Sequence, residues 1–167
     1  MQIDYDKINT IDTKNLDIFK PNQKLYFALA QKDKVDFIYN TSALEGNAMT
    51  YPEVATLLEG ITIGGHKVSD EQQILNQNRS VSLLFELIKN SKFKLDKLTL
   101  LKLHKKVSRL MMNGILLDNG YPILNIKAKD KLEFNQIMIK FYDTQNIYDA
   151  IDYLQNYYYN QNKTLIY

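Results

Sequence analysis

Apolar residues in this chain return every three or four positions through stretch after stretch, and nowhere do they alternate singly for the length of a strand. Leu25 and Leu29 open the pattern, followed by Val35, Ile38 and Ser42 once a break near Asp33 is allowed. It continues through Val54, Leu57 and Leu58, then Ile74, Val81, Leu84, Phe85 and Ile88. Leu100, Leu103, Val107, Leu110 and Gly114 carry it on within a helix expected over Leu98 to Leu117. The last two sets are Phe134, Ile137, Met138 and Phe141, and Ile147, Ile151, Leu154 and Tyr158. Such spacing lays apolar side chains along one face of a helix of 3.6 residues per turn, so the fold class is all-α, a single-domain helical bundle.

Local chemistry punctuates these helices. Gly46 accepts a left-handed backbone without steric cost and should end the second helix. Thr50-Tyr51-Pro52-Glu53 has the hydroxyl, early proline and carboxylate of a capping box opening the third, which runs to Gly60. Ser69 to Gln72 offers a second capping box ahead of a long helix, and residues 61–66 between them read as a short extended link. Residues 1–34 form an irregular lead-in and first helix, and 35–167 the helical domain proper.

Composition narrows the functional classes. Lys and Arg total 21 against 19 Asp and Glu, scattered along the chain, so no basic footprint suits a nucleic-acid backbone or an anionic membrane. A small anionic ligand remains compatible. Without cysteine there are no disulfides and no thiolate metal sites. Met1 to Asp6 lacks the basic start and apolar stretch of a signal peptide, and no run approaches the ~20 apolar residues of a membrane span, so a cytoplasmic address is expected. At 45% apolar residues and only three prolines, the chain has globular values. Twelve tyrosines and seven phenylalanines beside no tryptophan carry no chemical signal of their own.

One helix end is chemically odd. Tyr39-Asn40-Thr41-Ser42-Ala43-Leu44-Glu45-Gly46-Asn47 puts a glutamate in the last turn. There the negative end of the helix dipole disfavours it by some tenths of a kcal/mol to ~1 kcal/mol. Alone, Glu45 reads as a solvated surface charge. Its surroundings alter that. Thr41-x-x-x-Glu45-Gly46-Asn47, then Thr50, Glu53, Leu57-Leu58-Glu59-Gly60, Gly64-Gly65 and Asn76, resemble in order and spacing the front half of the Fic (filamentation induced by cAMP) family of AMP transferases. In that family [ST]-x-x-x-E-[GN] marks an inhibitory helix, here 35–46. Its place ahead of the domain core resembles the subgroup that carries the inhibitor in the same chain.

A second block points the same way. Lys106-Val107-Ser108-Arg109-Leu110-Met111-Met112-Asn113, with Asn119-Gly120-Tyr121-Pro122 and a final helical pair after it, resembles the end of the family's active-site loop, H-P-F-x-x-G-N-G-[RK]-x-x-R, and the helices beyond that loop. Lys106 takes the first basic position and Arg109 the last arginine. The eight residues that should precede Lys106 are absent. Leu98 to Lys105 stand there instead and look like an earlier family helix, so a segment is expected to be missing at about 105–107. The three-four rhythm runs across this join without a break. A natural deletion, an engineered chain or an omitted mobile segment would each produce it. The last is favoured, because flap and active-site loops are mobile.

The resemblance implies an auto-inhibited protein adenylyltransferase using ATP with Mg²⁺. In an intact relative the loop histidine is general base for a hydroxyl of a target protein, whose oxygen attacks the α-phosphorus of ATP. No catalytic residue and no metal ligand can be assigned in this chain. Arg109, with Lys106 and the weaker candidate Asn113, would meet the nucleotide. Thr41, Glu45 and Gly46 would form the brake, because a carboxylate can satisfy with two parallel bonds the guanidinium fork a γ-phosphate would use. Without the resemblance, Arg109 reads as an arginine tying helices together. His104 lacks the loop's proline, glycines and asparagine and reads as structural. His66 has no acidic or imidazole partner at metal-ligand spacing. Tyr157-Tyr158-Tyr159 reads as part core and part surface. Two non-enzymatic alternatives stand beside this: a relative that has lost its loop and serves as a helical interaction scaffold, or a regulatory helical protein of a toxin-antitoxin module. Some relatives self-associate, but no exposed apolar stripe demands it here.

Overall fold

The computed structural model describes residues 18–96, 99, 107–144 and 146–166. Lys106, His104, most of the lead-in and the expected join at about 105–107 therefore fall wholly or mainly outside the described residues. Among the described residues run α1 (Gln23–Lys32), α2 (Lys34–Leu44), α3 (Tyr51–Leu58), α4 (Val68–Lys89), α5 (Val107–Asp118), α6 (Lys131–Thr144) and α7 (Ile147–Asn162). Short 3₁₀ turns occupy Ala128–Asp130 and Lys163–Leu165, and no strand occurs among the described residues. The fold is all-α. No described helix is long and apolar enough to cross a membrane.

The described residues gather into two compact units, Pro21–Lys131 and Leu132–Tyr167 with residues 18–20. In the first, α2 packs on α1, α3 and α4, and α4 also packs on α5. The positions picked out by the three-four rhythm supply much of this core: Ile38, Val54, Leu57, Ile74, Val81, Leu84 and Ile88 are all buried. Each such side chain contributes roughly 1.5–3 kcal/mol by leaving water. In α1 the inward face is shifted. Leu25 stands exposed while Tyr26 and Ala30 are buried, and Phe37 joins them from α2.

Helix ends are built from the chemistry that the sequence displays, with two exceptions. Asp33 breaks α1 from α2. At the end of α2 the Gly46 N–H bonds Ala43 O at 3.0 Å and the Asn47 N–H bonds Ser42 O at 3.0 Å, the paired bonds of a Schellman motif closed by Gly46 at φ 90°. α3 opens as expected, with Glu53 accepting at 2.7 Å from both the N–H and the hydroxyl of Thr50. The second capping box does not form. α4 begins at Val68 with Lys67 at the cap position, which places Ser69 inside the first turn, where Asp70 and Glu71 supply the negative charge that the helix start favours. α4 also ends on the same paired-bond pattern with Ser91, not glycine, in the left-handed region at φ 53°.

At the end of α5 a glycine is required twice over. Gly120 has φ 76°, and a Cβ there would lie 2.9 Å from the backbone nitrogen of Gln23. The close approach exists because Asn22 N–H donates to Gly120 O at 2.7 Å, docking the start of α1 on this turn. Gly120→Ala should therefore cost about 2 kcal/mol, with left-handed strain of ~1–2 kcal/mol and a backbone collision acting together. Urea unfolding measures it, and a loss below about half a kcal/mol would mean the turn rearranges freely.

The irregular run from Tyr121 to Lys127 crosses the core, with Pro122, Leu124, Asn125 and Ile126 buried. A buried run without a ladder must have its polar groups met by side chains. Asn113 accepts from Leu124 N–H at 2.8 Å and donates to Leu124 O at 3.0 Å. On α2, Asp36 accepts from Asn125 Nδ2 at 2.7 Å, from Asn40 Nδ2 at 2.9 Å and from Lys127 Nζ, while Asn40 Oδ1 accepts from the Ala128 N–H at 2.9 Å.

In the second unit Phe19 packs edge-on against Tyr158 at 5.3 Å, and Lys140 pairs with Asp149 at 2.7 Å. Tyr158 is core while Tyr157 and Tyr159 are half-buried, as the tyrosine run suggested. α6 has no fully buried residue, and Leu132, Ile139 and Tyr142 are exposed along it. That apolar stripe is one the sequence did not disclose, because its helical pattern holds equally for a face turned inward.

Candidate functional site

Glu45 is the C-cap residue of α2, held with φ −89° by the Schellman bonds on either side of it. From α5, Arg109 reaches it across 64 residues of sequence, with Nη2 2.7 Å from Oε1. The other carboxylate oxygen accepts from Gln73 Nε2 of α4 at 3.0 Å. The doubly bonded fork expected between carboxylate and guanidinium is thus shared out: one oxygen faces the cation and the other an amide.

The pair sits in an intermediate environment, with the side chains 24% (Arg109) and 17% (Glu45) exposed. Burial pulls the Arg109 guanidinium below its ordinary value. Arginine starts so high that it keeps its proton, and the contact remains a charge-assisted hydrogen bond. A glutamate at the negative end of a helix is costly on its own, and Arg109 opposes that cost here. Lys131 helps, donating to Ala43 O at 2.8 Å where α2 has no basic residue of its own.

Gln73 and Asn47 complete the arrangement. Asn47 donates to Asp70 O at 3.0 Å and to Gln73 Oε1 at 3.3 Å, and it accepts from the Met49 N–H at 3.0 Å. This fixes both the loop after Glu45 and the amide that holds its second oxygen. Neither role is assigned by the sequence. Asn47 directly follows the inhibitory motif, but Gln73 stands in a polar stretch of α4 where nothing marks one glutamine from its neighbour.

The other candidate residues divide. Thr41 lies in the interior one turn before Glu45, and Gly46 closes the helix beneath it. Asn113 is not presented beside Arg109 for a ligand: it is 2% exposed, with both ends of its amide bonded to the Leu124 backbone. Lys106 lies outside the described residues. His66, which has no acidic partner by spacing, is 3.0 Å from Glu53 Oε1. That bond, together with those from Thr50, holds the Glu53 carboxyl down to about 2. The pair ties the turn after α3 back to its start, and no group of three acidic, histidine or cysteine side chains able to hold a metal occurs among the described residues.

Against ATP with Mg²⁺ the fit is partial. Arg109 is suited to a phosphate oxygen, but among the described residues no acidic cluster would seat the cation. No protein-family model, curated protein or solved structure matches this chain.

Proposed function

We propose that this chain derives from an auto-inhibited Fic-type adenylyltransferase whose phosphate-binding arginine, Arg109, is held by Glu45. The observation that carries the proposal is the 2.7 Å contact between these two side chains, which lie on helices far apart in sequence and stand out by motif alone. The carboxylate competes with the terminal phosphate of ATP both by occupying Nη2 and by like charge. A nucleotide that binds around the brake sits askew, and ~1 Å of misplacement at the α-phosphorus costs on the order of a hundredfold in rate.

A second reading is favoured by a different observation: the 167 residues contain neither the catalytic histidine nor its glycine-rich loop. On that reading the chain is a helical scaffold or a toxin-antitoxin regulatory module that keeps the clamp without the chemistry. The intact mass separates the two. A polypeptide several kilodaltons above 19.5 kDa restores the loop and with it the enzyme. Agreement with that mass leaves the scaffold.

The clamp itself is testable in either case. Glu45→Gly should tighten ATP about tenfold while leaving AMP, which has no γ-phosphate, unchanged, because freeing one charge-assisted bond is worth ~1.5–3 kcal/mol before solvent screening. Isothermal titration of both nucleotides, with the helical circular dichroism intact, reads it. Equal changes for ATP and AMP, or none, would defeat the brake. In a chain that has the loop, the same substitution should raise AMP labelling of the protein or its target.

A further inference from the structure

An open groove of about 370 Å³ lies where α1 and the start of α2 meet α4, lined by Phe27, Gln31, Lys34, Ser82, Phe85, Glu86 and Lys89. Its volume falls in the range of small-molecule sites. The apolar part is made by Phe27 and Phe85, half-buried rings packed edge-on at 5.5 Å.

The cations are placed with less ease. Lys34 is the first residue of α2, where the positive end of the helix dipole disfavours an ammonium. It is partly buried, and that burial lowers its pKa. Among the described residues no carboxylate forms an ion pair with it. Its hydrogen bond is to Ser82 Oγ at 2.8 Å, a hydroxyl whose own proton goes to Asn78 O at 2.8 Å. An ammonium has three donors, and this one is oriented by a neutral acceptor toward a groove that also carries Lys89. Glu86 is the single acid in the lining against two lysines.

We infer that the Phe27–Phe85 groove binds a small aromatic anion, its ring laid against the two phenylalanines and its carboxylate or phosphate on Lys34 and Lys89. The charge that Lys34 lacks is the charge such a ligand brings, and the rings supply what a bare inorganic anion could not use. This site uses none of the residues of the Glu45–Arg109 clamp, so it stands or falls separately from it.

Phenyl phosphate is the probe, with inorganic phosphate and phenol as its separated halves, each titrated into the full chain and followed by amide chemical shifts. Phenyl phosphate should bind saturably and perturb residues around 27, 34 and 85, at least about tenfold tighter than either half. Lys34→Met should weaken it about tenfold, consistent with the loss of one charge-assisted bond in a partly solvated groove. Lys89→Gln, at an exposed position that the fold does not need, should weaken it about threefold. An undiminished affinity in Lys34→Met, or inorganic phosphate binding as tightly as phenyl phosphate, overturns the inference. If Lys34→Met does not fold, Lys89→Gln decides, and an unchanged affinity there overturns it equally.

Discussion

Asn113→Leu should lower the stability of this protein by about 3 kcal/mol while leaving ATP affinity unchanged in the fraction that stays folded. The side chain is 2% exposed and bonds both the N–H and the carbonyl of Leu124, itself 6% exposed. A leucine, branched alike but bulkier, fills the space but strands both backbone groups, at ~1–3 kcal/mol each, and only part of that returns through the added apolar burial. Asn113→Asp provides a check with a distinct signature. Its carboxylate can still accept from Leu124 N–H, but facing Leu124 O it needs a proton, so its folded pKa is raised above the ~3.9 of the unfolded chain. A raised pKa means that the variant is least impaired below ~3.9 and loses stability as pH climbs through the folded value. Urea midpoints across pH test this. A fall in ATP affinity in Asn113→Leu, without a change in stability, would return Asn113 to the nucleotide.

Asn113 also shows where sequence reasoning stops. Its helix is visible in the three-four rhythm of Leu110 and Gly114, yet a polar residue on that helix reads equally well as a ligand contact or as a core clamp. What decides is the course of residues 121–127, which have no periodicity because they form no regular element. The same limit hides Gln73, Lys131 and the Asp36 cluster: each meets a partner more than twenty residues away, and spacing rules describe only one element at a time. Element ends were legible where one residue type is nearly obligatory, as at Gly46, and where a cap is closed by neighbours, as at Thr50 and Glu53. Ser69 misled because the helix took in Val68 ahead of it. Ser91 was invisible because serine seldom holds a left-handed turn. Leu25 misled because it shares a helix with Tyr26 and Ala30, and periodicity ranks faces without knowing which neighbour covers them. The pairing of Glu45 with Arg109 was readable only through a family motif, since no local rule joins positions 64 residues apart.

Charge reversal separates the two things that this pair does. Glu45→Arg should destabilise the protein by about 2 kcal/mol, setting two guanidiniums against each other at 17% and 24% exposure, between the ~0–1 kcal/mol of surface pairs and the ~3–5 kcal/mol of a broken buried one. The loss is moderated because a cation suits the end of α2 better than the glutamate does. Adding Arg109→Glu should bring stability back to within about 1 kcal/mol of the wild type, since the attraction is restored with its poles exchanged and only the Gln73 bond, whose amide Asn47 holds in place, stays lost. On the proposed reading ATP should bind Glu45→Arg at least as tightly as the wild type, because the competing carboxylate is gone, and the double variant more weakly than the wild type. The exchanged pair presents a carboxylate at position 109, where the proposed function has a guanidinium meet the phosphate, and the new guanidinium stands on a different helix end. A double variant that is stable and binds ATP normally would show that Arg109 does not hold the phosphate. A double variant as unstable as the single would show that the contact is not what holds α2 to α5. Recovery of the fold together with loss of the ligand is the outcome expected if Arg109 both holds the end of α2 and, as proposed, meets a phosphate.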